Sequence, residues 1–153
     1  MTTLTAASTA RELRGNFVML RADALRLMLP QHDVGAAVYL DQPPQATEMA
    51  GFFEHHGEAG EQAVLALSSQ MLPLADYPMD RFLVTPITTS VGEIGFGWSE
   101  VAVLIDVNLQ VQALPAALVN AQSPLQEFVE IDGQVVFCCD RERMADYALA
   151  QGT

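Results

Sequence analysis

The chain has 153 residues, half of them hydrophobic, and a formal net charge of −12 with no lysine at all. That length suits one domain with a real core, and that composition argues against disorder over most of it. The charge repels phosphate backbones and so excludes nucleic acid as a natural partner, and no apolar run approaches the roughly 20 residues of a membrane helix.

Residues 1–15 read as a flexible arm or a short helix. They lack the apolar centre of a signal peptide, so a cytoplasmic location is the default expectation. From Asn16 the sequence predicts two strands, Phe17–Leu20 and Leu25–Leu29, joined by a turn at 21–24 and ended by Pro30. Val34–Leu40 is a third apolar segment, and Pro43-Pro44 interrupts any regular element after it.

Met49–Phe53 suits a short strand. It leads into Glu54-His-His-Gly-Glu-Ala-Gly-Glu-Gln62, which reads as a polar loop. Ala63–Leu67 is a strand, with Ser68 placed to cap a helical turn running to Leu72. Arg81–Ile87 is a strand whose Pro86 suits a sheet edge, because proline has no N–H to give to a neighbour. Ile94–Trp98 and Val101–Ile105 are further strands, and Leu114–Leu118 is a connector.

The clearest pattern comes last. Phe128–Ile131 and Gln134–Cys139 are apolar runs around Asp132-Gly133, a turn pair that tolerates the positive φ of a tight hairpin. Asp140 then caps a helix to Leu149, with Met144, Tyr147 and Ala148 on one face. About eight to ten short strands with one closing helix predict an all-β barrel or sandwich.

Little here has the form of a catalytic site. Glu54, His55 and His56, with Glu58, Glu61 and His32, contain the elements of a metal or acid–base centre. Their spacing matches no ligand motif, but a small metal-dependent or acid–base enzyme built on Glu54, His55 and His56 is the alternative reading. A structural subunit of a larger complex is a third. Ser68-Ser69 is not in a nucleophile elbow, and Gly92-Glu-Ile-Gly-Phe-Gly97 has the wrong spacing for a nucleotide loop. Its glycines fit a bulge or close strand packing. Trp98 suits a core or rim position, or an anchor for a partner. Cys138 and Cys139 are adjacent in a strand, so they face opposite ways and read as buried thiols. The acidic stretch without arginine between Arg26 and Arg81 is solubilising, or steers a basic partner.

In order, these pieces resemble the CheW-like domain of bacterial chemotaxis signalling. The first strand pair closes in Leu29-Pro30 and Val34 follows. The double proline then leads to Gly51-Phe-Phe-Glu-His-His-Gly57 in the place of the family's Gly-Val-x-Asn-Leu-Arg-Gly. Ala63–Leu72 follows as strand and turn, Ile94–Val101 stands for Ile-Gly-Leu-x-Val-Asp-x-Val, and Ile131–Asp140 supplies the closing hairpin. The likeness spans about residues 16–149, and the domain is taken as 16–153. It departs at His56, where the family has arginine, at Ser99, where it has aspartate, and at Glu58–Gln62, which looks inserted or altered.

The resemblance implies two small, intertwined, five-stranded SH3-like β-barrels with a shared core and a C-terminal helix. It implies an adaptor without catalytic residues, metal or cofactor, which links a CheA-type histidine kinase to a chemoreceptor or serves a pilus-based twitching system. Carried over by position, the contact residues are Val34, Phe52, His56 and Gly57.

Overall fold

The computed structural model describes residues 11–57, 60–115 and 124–151. In chain order it has strands β1 (Arg11–Ala22), β2 (Leu25–Pro30), β3 (Val38–Tyr39), β4 (Gln45–Ala46), β5 (Phe52–Gly57) and β6 (Gly60–Leu65). β7 (Leu83–Thr89), β8 (Gly92–Trp98), β9 (Glu100–Ala113), β10 (Glu127–Ile131), β11 (Gln134–Cys138) and helix α1 (Arg141–Gln151) follow. A 3-10 turn occupies Gln31–Asp33.

The strands form two sheets. β1-β2-β11-β10-β9 close into a five-stranded barrel, and β3-β7-β8-β6-β5-β4 form a six-stranded sheet. The second sheet is inserted between β2 and β9, so the first barrel is completed only by the C-terminal third of the chain. Leu20, Leu27 and Leu29 of the barrel join Phe52, Leu65 and Trp98 of the second sheet in a common core. Met144 and Tyr147 of α1 reach the same core, which makes the helix a plug for both sheets. The barrel also has its own interior, built around Phe17, Met28, Val111, Val129 and Val136.

The expected all-β fold with a closing helix is present, but the second sheet has six strands where five were expected. Two of them, β3 and β4, are only two residues long, too short to show any alternation. The arm expected over residues 1–15 also needs correction. Residues 1–10 lie outside the described part, but Arg11–Gly15 belong to β1 and pair with Val107–Val111 of β9. The pairing slips by one residue between Gly15 and Phe17, where the Asn16 Oδ1 accepts the Asp106 N–H at 2.7 Å. Asp106 there has φ +51, which fits a bulge that redirects the strand.

Glu54–Gly57 and Gly60–Gln62 are strand where a loop was expected. β5 and β6 form a hairpin in which Phe52 faces Leu65 and His56 faces Glu61. Two buried apolar residues at its base fix the register, and the polar residues follow from it. Ser68 does not start a helix either. Its hydroxyl accepts the N–H groups of Gln70 and Leu72, closing a tight turn in which Met71 has φ +63. The Tyr147 hydroxyl donates to the Met71 carbonyl and ties that turn to α1.

Pro86 lies within β7, which has strands on both sides. Its outer neighbour β3 pairs only with Leu83 and Val84, so no N–H is asked of Pro86 there, and its carbonyl accepts the Gly35 N–H at 3.4 Å. The glycines of β8 serve close packing. A methyl group on Gly97 would sit 2.3 Å from the Tyr77 hydroxyl, and one on Gly95 2.5 Å from Val84.

The hairpin at Asp132-Gly133 forms with φ +52 and +78. Asp140 caps α1, its Oδ1 accepting the Arg143 N–H at 2.8 Å. Leu114 and Pro115 carry no regular structure, and the rest of the expected connector lies outside the described residues.

Cys138 faces the barrel interior and Cys139 the common core. Burial pushes their thiols up to about 11 and about 12. Since the thiolate is the reactive form, both stay inert near neutral pH. Titration with an aromatic disulfide reagent is expected to find no reactive thiol in the native protein and both in denaturant. Rapid reaction of either thiol in the native state contradicts this burial.

Candidate functional site

The four residues marked by the sequence separate into two environments. Phe52 is buried in the common core, and Val34 packs against that core half-buried. They support the fold and present little surface. His56 and Gly57 lie at the far end of the β5–β6 hairpin, where Gly57 pairs with Gly60. The His56 ring is half exposed and stands between two carboxylates, 3.4 Å from Glu61 and 3.8 Å from Glu54. It cannot offer the flat fork of five N–H donors that an arginine presents to a carboxylate.

His56 opens onto a groove of about 1160 Å³. Val38 and Tyr39 of β3 and Gln45 of β4 all line it, although these strands end opposite sides of the sheet. The second sheet is therefore curled like a barrel, with its two short edge strands brought to one opening. Asp41, Glu54, Glu61 and Glu93 line the same groove, and no arginine does. A basic partner suits it.

Beside the groove lies an apolar surface that the sequence did not single out. Tyr39 is 67 % exposed and Met79 83 %, with Val38 and Phe82 also exposed. The Tyr39 and Phe82 rings stack with centroids 5.8 Å apart. Leu40, Pro43, Tyr77 and Pro78 add a small slot of about 120 Å³ next to Met79 and Phe82. Exposed aromatics gathered at a sheet edge are typical of a protein contact. The one sequence signal for them was an aromatic just ahead of the double proline, and Phe82 and Met79 gave none.

Of the elements of a metal or acid–base centre, Glu54, His56 and Glu61 come together without forming a metal-binding group. Among the described residues no group of three or more His, Cys, Asp or Glu side chains is placed to hold a metal ion. His32 sits by the first barrel, 3.3 Å from Asp33, and Glu58 lies outside the described residues. Trp98 is buried with its indole N–H on the Thr85 hydroxyl at 2.8 Å, so it is a core residue and no anchor for a partner. Ser99, in place of the family's aspartate, donates to Asp80 Oδ2 at 3.1 Å.

Two connected β-sheets with a common core and a closing helix define a CheW-like fold. The solved scaffolding protein TtCheW from Thermoanaerobacter tengcongensis has this fold, with a TM-score of 0.59, and the match covers 82 % of this chain and 88 % of that one. The two sequences are 12 % identical, so the likeness is one of fold. No family model matches the sequence, and no curated protein does either. Among the described residues no helix is long and apolar enough to cross a membrane.

Proposed function

We propose that this protein is a non-catalytic adaptor of a chemotaxis-like or pilus-motility system. It links a CheA-type histidine kinase and a chemoreceptor signalling segment in the cytoplasm. The observation that carries the reading is the stacked, exposed Tyr39–Phe82 pair beside an acidic groove on the curled second sheet. A ring pair held in this way offers contact area with little side-chain entropy left to lose. The acidic lining speeds the approach of a basic partner surface, and the aromatic pair holds it. The fold shared with a scaffolding protein supports the same role.

With His56 where the family has arginine, recognition on this surface runs differently. Two carboxylates flank the imidazole, so a partner residue that complements it is basic or neutral. The partner is thus expected to lack the acidic group that an arginine would pair.

Titration calorimetry with the kinase's regulatory domain and with the receptor segment, both from the same organism, tests this. Binding of at least one is expected, weakened by added salt. The double variant Tyr39→Asp, Phe82→Ser should weaken that binding about 30-fold or more and leave the melting curve nearly unchanged. Failure of the folded protein to bind either one counts against the adaptor role. Equal binding by the double variant moves the contact elsewhere.

A further inference from the structure

The mouth of the first barrel holds a second cavity, of about 560 Å³, that shares no lining residue with the groove of the second sheet. It opens between the start of β1, the end of β2 and the junction of β11 with α1. Its floor is apolar, made by Leu13, Phe17, Met28 and Cys138 at the end of the barrel's own interior. Gly15 leaves room on one wall, since a methyl group there would meet no described residue within 4 Å. Arg11, Arg14 and Arg143 stand at this cavity, three of the seven arginines in a chain of net charge −12.

We propose that this barrel mouth binds a small amphiphilic anion, an alkyl or aryl carboxylate whose body lies on the apolar floor and whose carboxylate meets Arg14. The size fits, since small-molecule pockets run from about 300 to 1,000 Å³ and barrel mouths are among their usual places. The chemistry fits as well, because apolar walls with a few cationic groups orient a ligand that has one charged end.

Each guanidinium already has a carboxylate partner. Arg11 holds Glu127 at 2.6 Å, Arg14 holds Glu12 at 2.6 Å, and Arg143 lies 3.7 Å from Asp140. These pairs are open to solvent, and exposed ion pairs add little net stability. Arg14 is the most easily released of the three, with 75 % of its side chain exposed and a partner two residues away on the same strand. A ligand carboxylate takes the place of Glu12 on the guanidinium fork, and Glu12 turns to water.

Calorimetric titration with decanoate, kept below its micelle-forming concentration, tests the proposal, with decanol and decyltrimethylammonium as controls. Decanoate is expected to bind at one site, decanol about tenfold more weakly, and the cation not at all. Arg14→Gln should weaken decanoate about tenfold and leave decanol unchanged. Its exposed position keeps the variant folded, which circular dichroism checks. Three results overturn the proposal: no decanoate binding by folded protein, decanol or the cation binding as well as decanoate, or Arg14→Gln binding decanoate like the wild type. None of these touches the adaptor reading, which rests on the second sheet.

Discussion

Trp98→Ala is expected to cost about 4 kcal/mol of folding stability, read from urea unfolding followed by circular dichroism. Trp98 is 2 % exposed and is the largest side chain in the core common to the two sheets and α1. Its ring stacks near Phe96, with centroids 6.2 Å apart. Truncation removes its buried apolar area and leaves a cavity that the surrounding strands cannot fully close. It also strands the buried Thr85 hydroxyl, which accepts the indole N–H. Trp98→Phe keeps most of the packing and loses the hydrogen bond, so about 1–2 kcal/mol is expected. A loss below about 1 kcal/mol for the alanine variant contradicts a tightly packed common core.

Arg81→Ala is the second large effect, at about 3 kcal/mol. Arg81 is 0 % exposed, although it precedes β7 as the only arginine between Arg26 and Arg141. Its guanidinium donates at 3.3 Å to the Gly97 carbonyl of β8 and at 3.3 Å to Asp23 in the β1–β2 turn. It therefore joins the second sheet to the first barrel. Its Nε is buried and has no hydrogen-bond partner among the described residues, so the group is held by packing as well as by charge.

That division makes a second variant informative. Arg81→Met fills most of the same volume with no charge to bury, and Asp23, half exposed, turns to solvent. It is expected to cost under about 1 kcal/mol, far less than the alanine variant. Equal losses for the two variants would show that the ion pair, and not the filled space, holds the sheets together.

Much of the fold was legible because local chemistry fixed it. The Asp132-Gly133 turn, the Asp140 cap and the apolar runs of β10 and β11 each carry their own signal within a few residues. Trp98 and the two cysteines could be given a core reading on residue type and position.

Other elements form through partners distant in the chain. Arg11–Gly15 have a single large apolar residue, Leu13, and become strand because β9 lies alongside. Glu54–His56 are polar and become strand because Phe52 and Leu65 set the hairpin register from the core side. β3 and β4 are too short for any period to show.

Of the surface proposed as the contact, the sequence marks only His56. Val34 and Phe52 carried the family's contact pattern, yet the fold turns Phe52 into the core and leaves Val34 half-buried. The surface proposed in their place is assembled from Tyr39 and from Met79 and Phe82, about forty residues later, which no linear pattern joins. Arg81 shows the same limit in reverse. A charged residue reads as surface, and only the meeting of the β1–β2 turn with β8 encloses it.

The adaptor reading requires two partners held at once. Light scattering coupled to size exclusion, on an equimolar mixture of this protein, the kinase regulatory domain and the receptor segment, measures that directly. One particle containing one copy of each is expected, lost for the Tyr39→Asp, Phe82→Ser variant. Partners that displace one another, or a protein that elutes alone from the mixture, would contradict it.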